Sequence, residues 1–172
     1  MRKFCSPPPQ GFTLVEALVA LTILAILAVW GVPNLQRLVV SNRVATTTNE
    51  LIAALNLARM EALKNGRGAG VCASSNGTSC TGAWTNGFLV WADADESGTL
   101  NGSEKVLRVG GGQAGFSAEA TGSVIAFDYK GRRRSKDDTS ITLTPDNCSG
   151  NLKRTFVVEQ VGRVAVKRET CG

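Results

Sequence analysis

The densest run of potential ligands is Asp93-x-Asp95-x-Ser97-Gly98-Thr99-Leu100-Asn101-x-x-Glu104. Oxygen-bearing side chains at alternate positions, a glycine sixth, an apolar residue eighth and a glutamate twelfth fit the calcium loop, in which hard oxygen donors surround a hard cation. The candidate ligands are Asp93, Asp95, Ser97, Thr99, Asn101 and Glu104. That loop normally joins two helices, whereas β-preferring runs flank it here, so a plain acidic hairpin loop is the leading account and calcium the alternative.

Two other residue sets could do chemistry. Cys72, Cys80, Cys148 and Cys171 form an even set well beyond the N-terminus, with Cys5 apart from them. An even set suggests disulfides and an oxidising compartment, and the lack of a Cys-x-x-Cys spacing argues against zinc. We pair Cys72 with Cys80 and Cys148 with Cys171 as local loop closures, although three pairings are formally open. Arg163, Lys167 and Arg168 gather positive charge near the C-terminus, in a segment whose alternate residues share a strand face, which makes them candidate phosphate contacts. Arg132-Arg133-Arg134-Ser135-Lys136 is followed at once by Asp137 and Asp138 and reads as a solvated turn.

The chain has 172 residues and no histidine, which removes the commonest general base and metal ligand. With no Ser–Lys motif either, an enzyme is not expected. Gly110-Gly111-Gly112 lacks the Gly-Lys-Ser/Thr ending of a phosphate loop and reads as a flexible connection. No cofactor other than possible calcium is expected. The net charge of +5, two units of it from Arg2 and Lys3, is too mild by itself to argue for nucleic acid.

These residues have to be positioned by a chain whose apolar residues are concentrated near one end. Phe12 to Trp30 reads FTLVEALVALTILAILAVW and continues to Val32, roughly the 20 residues that cross a hydrocarbon core. Arg2 and Lys3 supply a positive flank that stays cytoplasmic, so the remainder lies on the far side, the periplasm of a Gram-negative cell. No Ala-x-Ala site follows the apolar run, so cleavage after it is not expected. Glu16 is the anomaly: a carboxylate inside such a helix needs a partner, because insertion scales charge about 2.5–3.5 kcal/mol for an acid at the centre.

Gly11-Phe12-Thr13-Leu14-Val15-Glu16 resembles the prepilin peptidase site of type IV pilins and type II secretion pseudopilins. The resemblance implies cleavage between Gly11 and Phe12, methylation of the new Phe12 amine, and a role for Glu16 in meeting the N-terminal amine of a neighbouring subunit during assembly. It divides the chain into a leader (1–11), a membrane-spanning helix half (12–32), a periplasmic amphipathic helix half (33–66) and a periplasmic β-rich domain (67–172). In the amphipathic half Val44, Leu51, Leu55, Ala58 and Ala62 form one stripe, and Gly66 and Gly68 end it. Pro33 should kink or locally melt the helix, since its ring removes one hydrogen bond.

Beyond Val71, short β-preferring runs at 87–92, 105–109, 123–129, 140–144, 153–158 and 163–167 alternate with glycine-rich turns. The fold class expected is α+β: a long N-terminal helix packed on an antiparallel β domain. Trp84-x-x-Gly87-Phe88-x-Val90, Ile125-x-Phe127-x-x-x-Gly131-Arg132 and Gly162-Arg163-Val164 resemble the GspH/FimT family of minor pilins and pseudopilins. The cysteine spacing looks most like its fimbrial minor pilins. The resemblance implies a single-pass inner-membrane subunit that primes or caps a type IV pilus, with other pilins and the prepilin peptidase as partners. The H-class pseudopilin of a type II secretion machine is the alternative. Competence-associated members bind DNA through a basic C-terminal segment, and here Ala165 stands where a second arginine is expected.

Overall fold

A computed structural model describes residues 11–102, 104–136 and 139–172. Arg2, Lys3, Cys5 and the rest of the leader through residue 10, together with Asp137 and Asp138, lie outside the described residues, as does the side chain of Pro33. The described residues form one helix, α1 (Leu14–Asn65), and eight strands: β1 (Gly68–Ala73), β2 (Gly87–Ala92), β3 (Lys105–Gly111), β4 (Phe116–Ala120), β5 (Val124–Asp128), β6 (Thr139–Pro145), β7 (Lys153–Val158) and β8 (Val164–Glu169). Two compact units result, one ending at Val39 and the other spanning Val40–Gly172, with α1 contributing to both. The α+β class read from the sequence is the one observed. The helix runs unbroken through position 33, so the local melting expected at Pro33 does not occur.

The Val40–Gly172 unit holds two four-stranded antiparallel sheets, ordered β3-β2-β1-β5 and β4-β6-β7-β8. Every residue of the stripe Val44, Leu51, Leu55, Ala58 and Ala62 is buried, joined by Thr47 and Ala54. They share one core with alternate residues of the strands, including Ala69, Val71, Val90, Ile125, Phe127, Ile141, Leu143, Phe156 and Val158. The alanines at 54, 58 and 62 lie on one helix face by their four-residue spacing, and small side chains there let a sheet approach the backbone closely.

The opposite face of the first sheet carries a smaller cluster of Cys72, Leu89 and Trp91, covered by Cys80, Leu100, Val106 and Val124. Gly70 lies opposite Trp91 across the β1–β2 ladder, and a Cβ at Gly70 would collide with the indole ring. Phe88 lies on Gly110 in the same way, so the glycines at 110 and 111 form the end of β3 rather than the flexible connection expected. Two strands escaped the sequence reading. Strand β1, of sequence GAGVCA, is fully buried between β2 and β5, and β4, FSAEA, is an edge strand. Neither is rich in β-branched residues, and tertiary packing overrides weak propensity at both.

Candidate functional site

At the N-terminal end Thr13 caps α1. Its Oγ1 accepts a hydrogen bond from the Glu16 backbone N–H at 3.2 Å, and its carbonyl accepts from the Ala17 N–H at 3.1 Å. Thr13 and Glu16 thus have the spacing of a capping box, with the carboxylate near the partially positive helix end. Glu16 is exposed and is the sole ionisable side chain among residues 11–32. Around it every large apolar side chain is open: Phe12 is 87% exposed, Leu14 81% and Trp30 75%. None of the most apolar 18-residue stretch of this helix is buried. By length and composition it can cross a membrane, and among the described residues nothing covers its apolar surface.

The acidic loop between β2 and β3 is folded around its own carboxylates. Asp93 is completely buried. Its Oδ2 accepts from the Gly98 N–H at 2.9 Å and pairs with Arg134 Nε at 3.5 Å. Asp95 Oδ1 accepts from the Ser97 N–H at 3.0 Å, the first of several bonds from Ser97 and Asn101 that hold its carboxyl below the ordinary carboxylate range. Glu104 receives the N–H groups of Ala94 at 2.8 Å and Asn101 at 3.1 Å. The Ser97 hydroxyl lies 3.0 Å from the Thr99 carbonyl oxygen. One oxygen each from Asp93, Asp95 and Glu104 lies within 4.8 Å of the others.

The basic residues behave differently from one another. Arg163 is bound by Glu159 at 2.8 Å, and Lys153 pairs with Glu169 at 3.7 Å. Lys167 and Arg168 lie on β8, an edge strand, where they face Thr155 and Arg154 across the ladder. Burial first, and the neighbouring Arg168 second, lower the proton affinity of Arg154. Arg163 is thus held in an exposed ion pair, while Lys167 and Arg168, consecutive on β8, point to opposite faces of the sheet.

The Arg132–Arg134 run is no solvated turn. Arg132 pairs with Asp128 at 3.2 Å, Arg134 with Asp93, and Arg133 is 2% exposed, donating to the Thr139 hydroxyl at 2.8 Å. A contact absent from the sequence reading is Arg59, whose guanidinium donates to the carbonyls of Gly131 at 3.0 Å and Val161 at 3.2 Å. It ties α1 to the turns that carry two of the sequence motifs. Gly162 adopts φ +80° with no space for a Cβ against the Gly131 carbonyl. The disulfides are Cys72–Cys80 and Cys148–Cys171, each with a Cα separation of 5.5 Å.

An apolar helix that starts at Leu14 just after Gly-Phe-Thr, capped by Thr13 and with later turns buried among antiparallel sheets, defines a pilin-like subunit with an apolar N-terminal helix able to anchor it in a membrane. The family described as "Type II transport protein GspH" matches residues 47–162, and the "Prokaryotic N-terminal methylation motif" matches residues 9–32. The chain belongs to the GspH family of minor pilins and pseudopilins, whose members are structural subunits. Its fold is that of the type IV minor pilin FimU of Pseudomonas aeruginosa strain PAO1. Two crystal structures of that protein align with TM-scores of 0.58 and 0.56 at 21% and 20% identity, covering 73% and 72% of this chain and 89% and 91% of theirs. No curated protein matches.

Proposed function

We propose that this chain is a minor pilin that primes or caps a type IV pilus. In this reading the leader is removed between Gly11 and Phe12, Phe12 is methylated, residues 12–32 span the inner membrane and the Val40–Gly172 unit lies in the periplasm. The observation that carries the proposal is Glu16: one carboxylate, four residues after the new N-terminus, in an otherwise uncharged apolar segment (residues 12–32), exposed and with no ion pair among the described residues. In hydrocarbon such a group gains far more from a cation than it would in water, and the Phe12 amine of an adjacent subunit is that cation. Glu16→Ala should insert at least as well as the parent chain while its incorporation into sheared pili falls at least about tenfold, the loss of roughly 1.4 kcal/mol or more at that contact. Equal recovery of variant and parent in the pilus fraction would sink the assembly role.

The H-class pseudopilin is the second reading, favoured by the description of the matching family as a type II transport protein. Deleting the gene separates the two: loss of surface pili supports the first, and loss of protein secretion with pili intact supports the second. A DNA-receptor role would rest on Lys167, Arg168 and Arg163, the last also held in an exposed ion pair with Glu159. Gel shifts at low salt test it, because contacts to phosphates are strongest there.

A further inference from the structure

We infer that the Asp93–Glu104 loop is a calcium-binding site on the globular unit. Twelve residues join the end of β2 to the start of β3 with an oxygen donor at each of positions one, three, five, seven, nine and twelve. Three of those donors, Asp93, Asp95 and Glu104, converge with one oxygen apiece inside 4.8 Å. Like charges at that spacing repel unless a proton or a cation stands between them. The two neighbouring guanidinium groups do not fill that place. Arg67 donates to the Ala94 carbonyl at 2.9 Å, and Arg134 divides itself between Asp93 Oδ2 and the Glu96 carbonyl. Among the described residues neither Asp95 nor Glu104 has an ion pair.

The independent sign of a ligand is Asp93 itself. It is fully buried, and its Oδ1 has no hydrogen-bond partner, although a buried polar oxygen left unpaired costs on the order of its desolvation penalty. With Oδ2 taken up by Gly98 and Arg134, Oδ1 is the oxygen left for the carboxylate cluster. Ser97 and Thr99 bring a hydroxyl and a carbonyl oxygen to within 3.0 Å of each other at positions five and seven. Gly98 at position six has φ +74°, and Leu100 at position eight is seated on the Cys72–Leu89–Trp91 cluster, which anchors the loop as flanking helices would elsewhere. An all-oxygen donor set on an irregular loop suits calcium, whereas magnesium demands near-ideal octahedral geometry and zinc prefers nitrogen and sulfur.

The test uses the full chain in detergent, with calcium added to metal-stripped protein and followed by titration calorimetry and thermal melting. Calcium should bind with Kd on the order of 10⁻⁴–10⁻³ M, the range of extracellular modules, and raise Tm, with magnesium producing neither effect at equal concentration. Asp95→Asn and Glu104→Gln each should weaken binding by at least about tenfold. Asp95 is exposed, so its variant keeps the comparison valid if Glu104→Gln fails to fold. The absence of heat and of a Tm shift up to about 10 mM calcium, ten times the weakest such Kd, would overturn the assignment. So would equal shifts in parent and variants, which would show only screening of surface charge.

Discussion

Gly70 lies beneath the Trp91 indole on a fully buried strand, where a methyl group has no room. Gly70→Ala should therefore destabilise the protein by about 1–3 kcal/mol, as overpacking does, visible as a lower Tm with an unchanged far-UV spectrum. Asp128 carries a different kind of dependence. Burial pushes its carboxyl up, but the N–H groups of Arg132 and Lys130 and the Arg132 guanidinium outweigh that, and the net shift is downward. A depressed carboxylate contributes stability that is full above its unfolded value near 3.9 and is lost as pH falls through the lower folded value. Asp128→Asn should lower Tm at neutral pH and flatten the fall in Tm below about pH 4. A parallel acid limb in parent and variant would contradict this role. At this scale the cysteine pairs were legible because their meaning lies in local spacing. Arg59 and Arg133 were not, because their acceptors, Gly131 and Val161 for one and Thr139 for the other, are set by the folded turns.

Among the elements, α1 was the most legible, since its buried stripe is a periodicity readable without partners. Strand β1 was hidden because GAGVCA has the composition of a loop, and only the closeness of helix, Trp91 and neighbouring strands makes small residues favourable there. The β2–β3 hairpin was found but cut short at Val109, because the pairing of Phe88 with Gly110 is a tertiary fact. The C-terminal strands depend on a covalent tie. The Cys148–Cys171 bridge, with a sequence separation of 23, follows β8 and connects it to the loop before β7. Replacing both cysteines with serine should cost roughly 3 kcal/mol in the chain-entropy account, measured by denaturant unfolding of the oxidised parent and the variant. Unchanged stability would show that the denatured chain gains nothing from losing that constraint.

For the whole molecule, the contrast between its two units is what connects structure to role. Val40–Gly172 buries its apolar side chains in one main core and one small cluster, fastened by two disulfides. The helix through Val39 leaves its apolar side chains open, and the hydrophobic effect requires lipid or neighbouring helices to cover them. An oxidised domain and an uncovered apolar helix support the proposed reading of a membrane-anchored pilus subunit. In the function proposed above, the mature chain begins at the residue that puts Glu16 beside a neighbour's amine. Intact mass and N-terminal fragment analysis of the protein extracted from membranes test it directly. A chain starting at N-methylated Phe12 with both disulfides formed is the expected result; one that retains Gly11, or one that starts after Val32, would rule this maturation out.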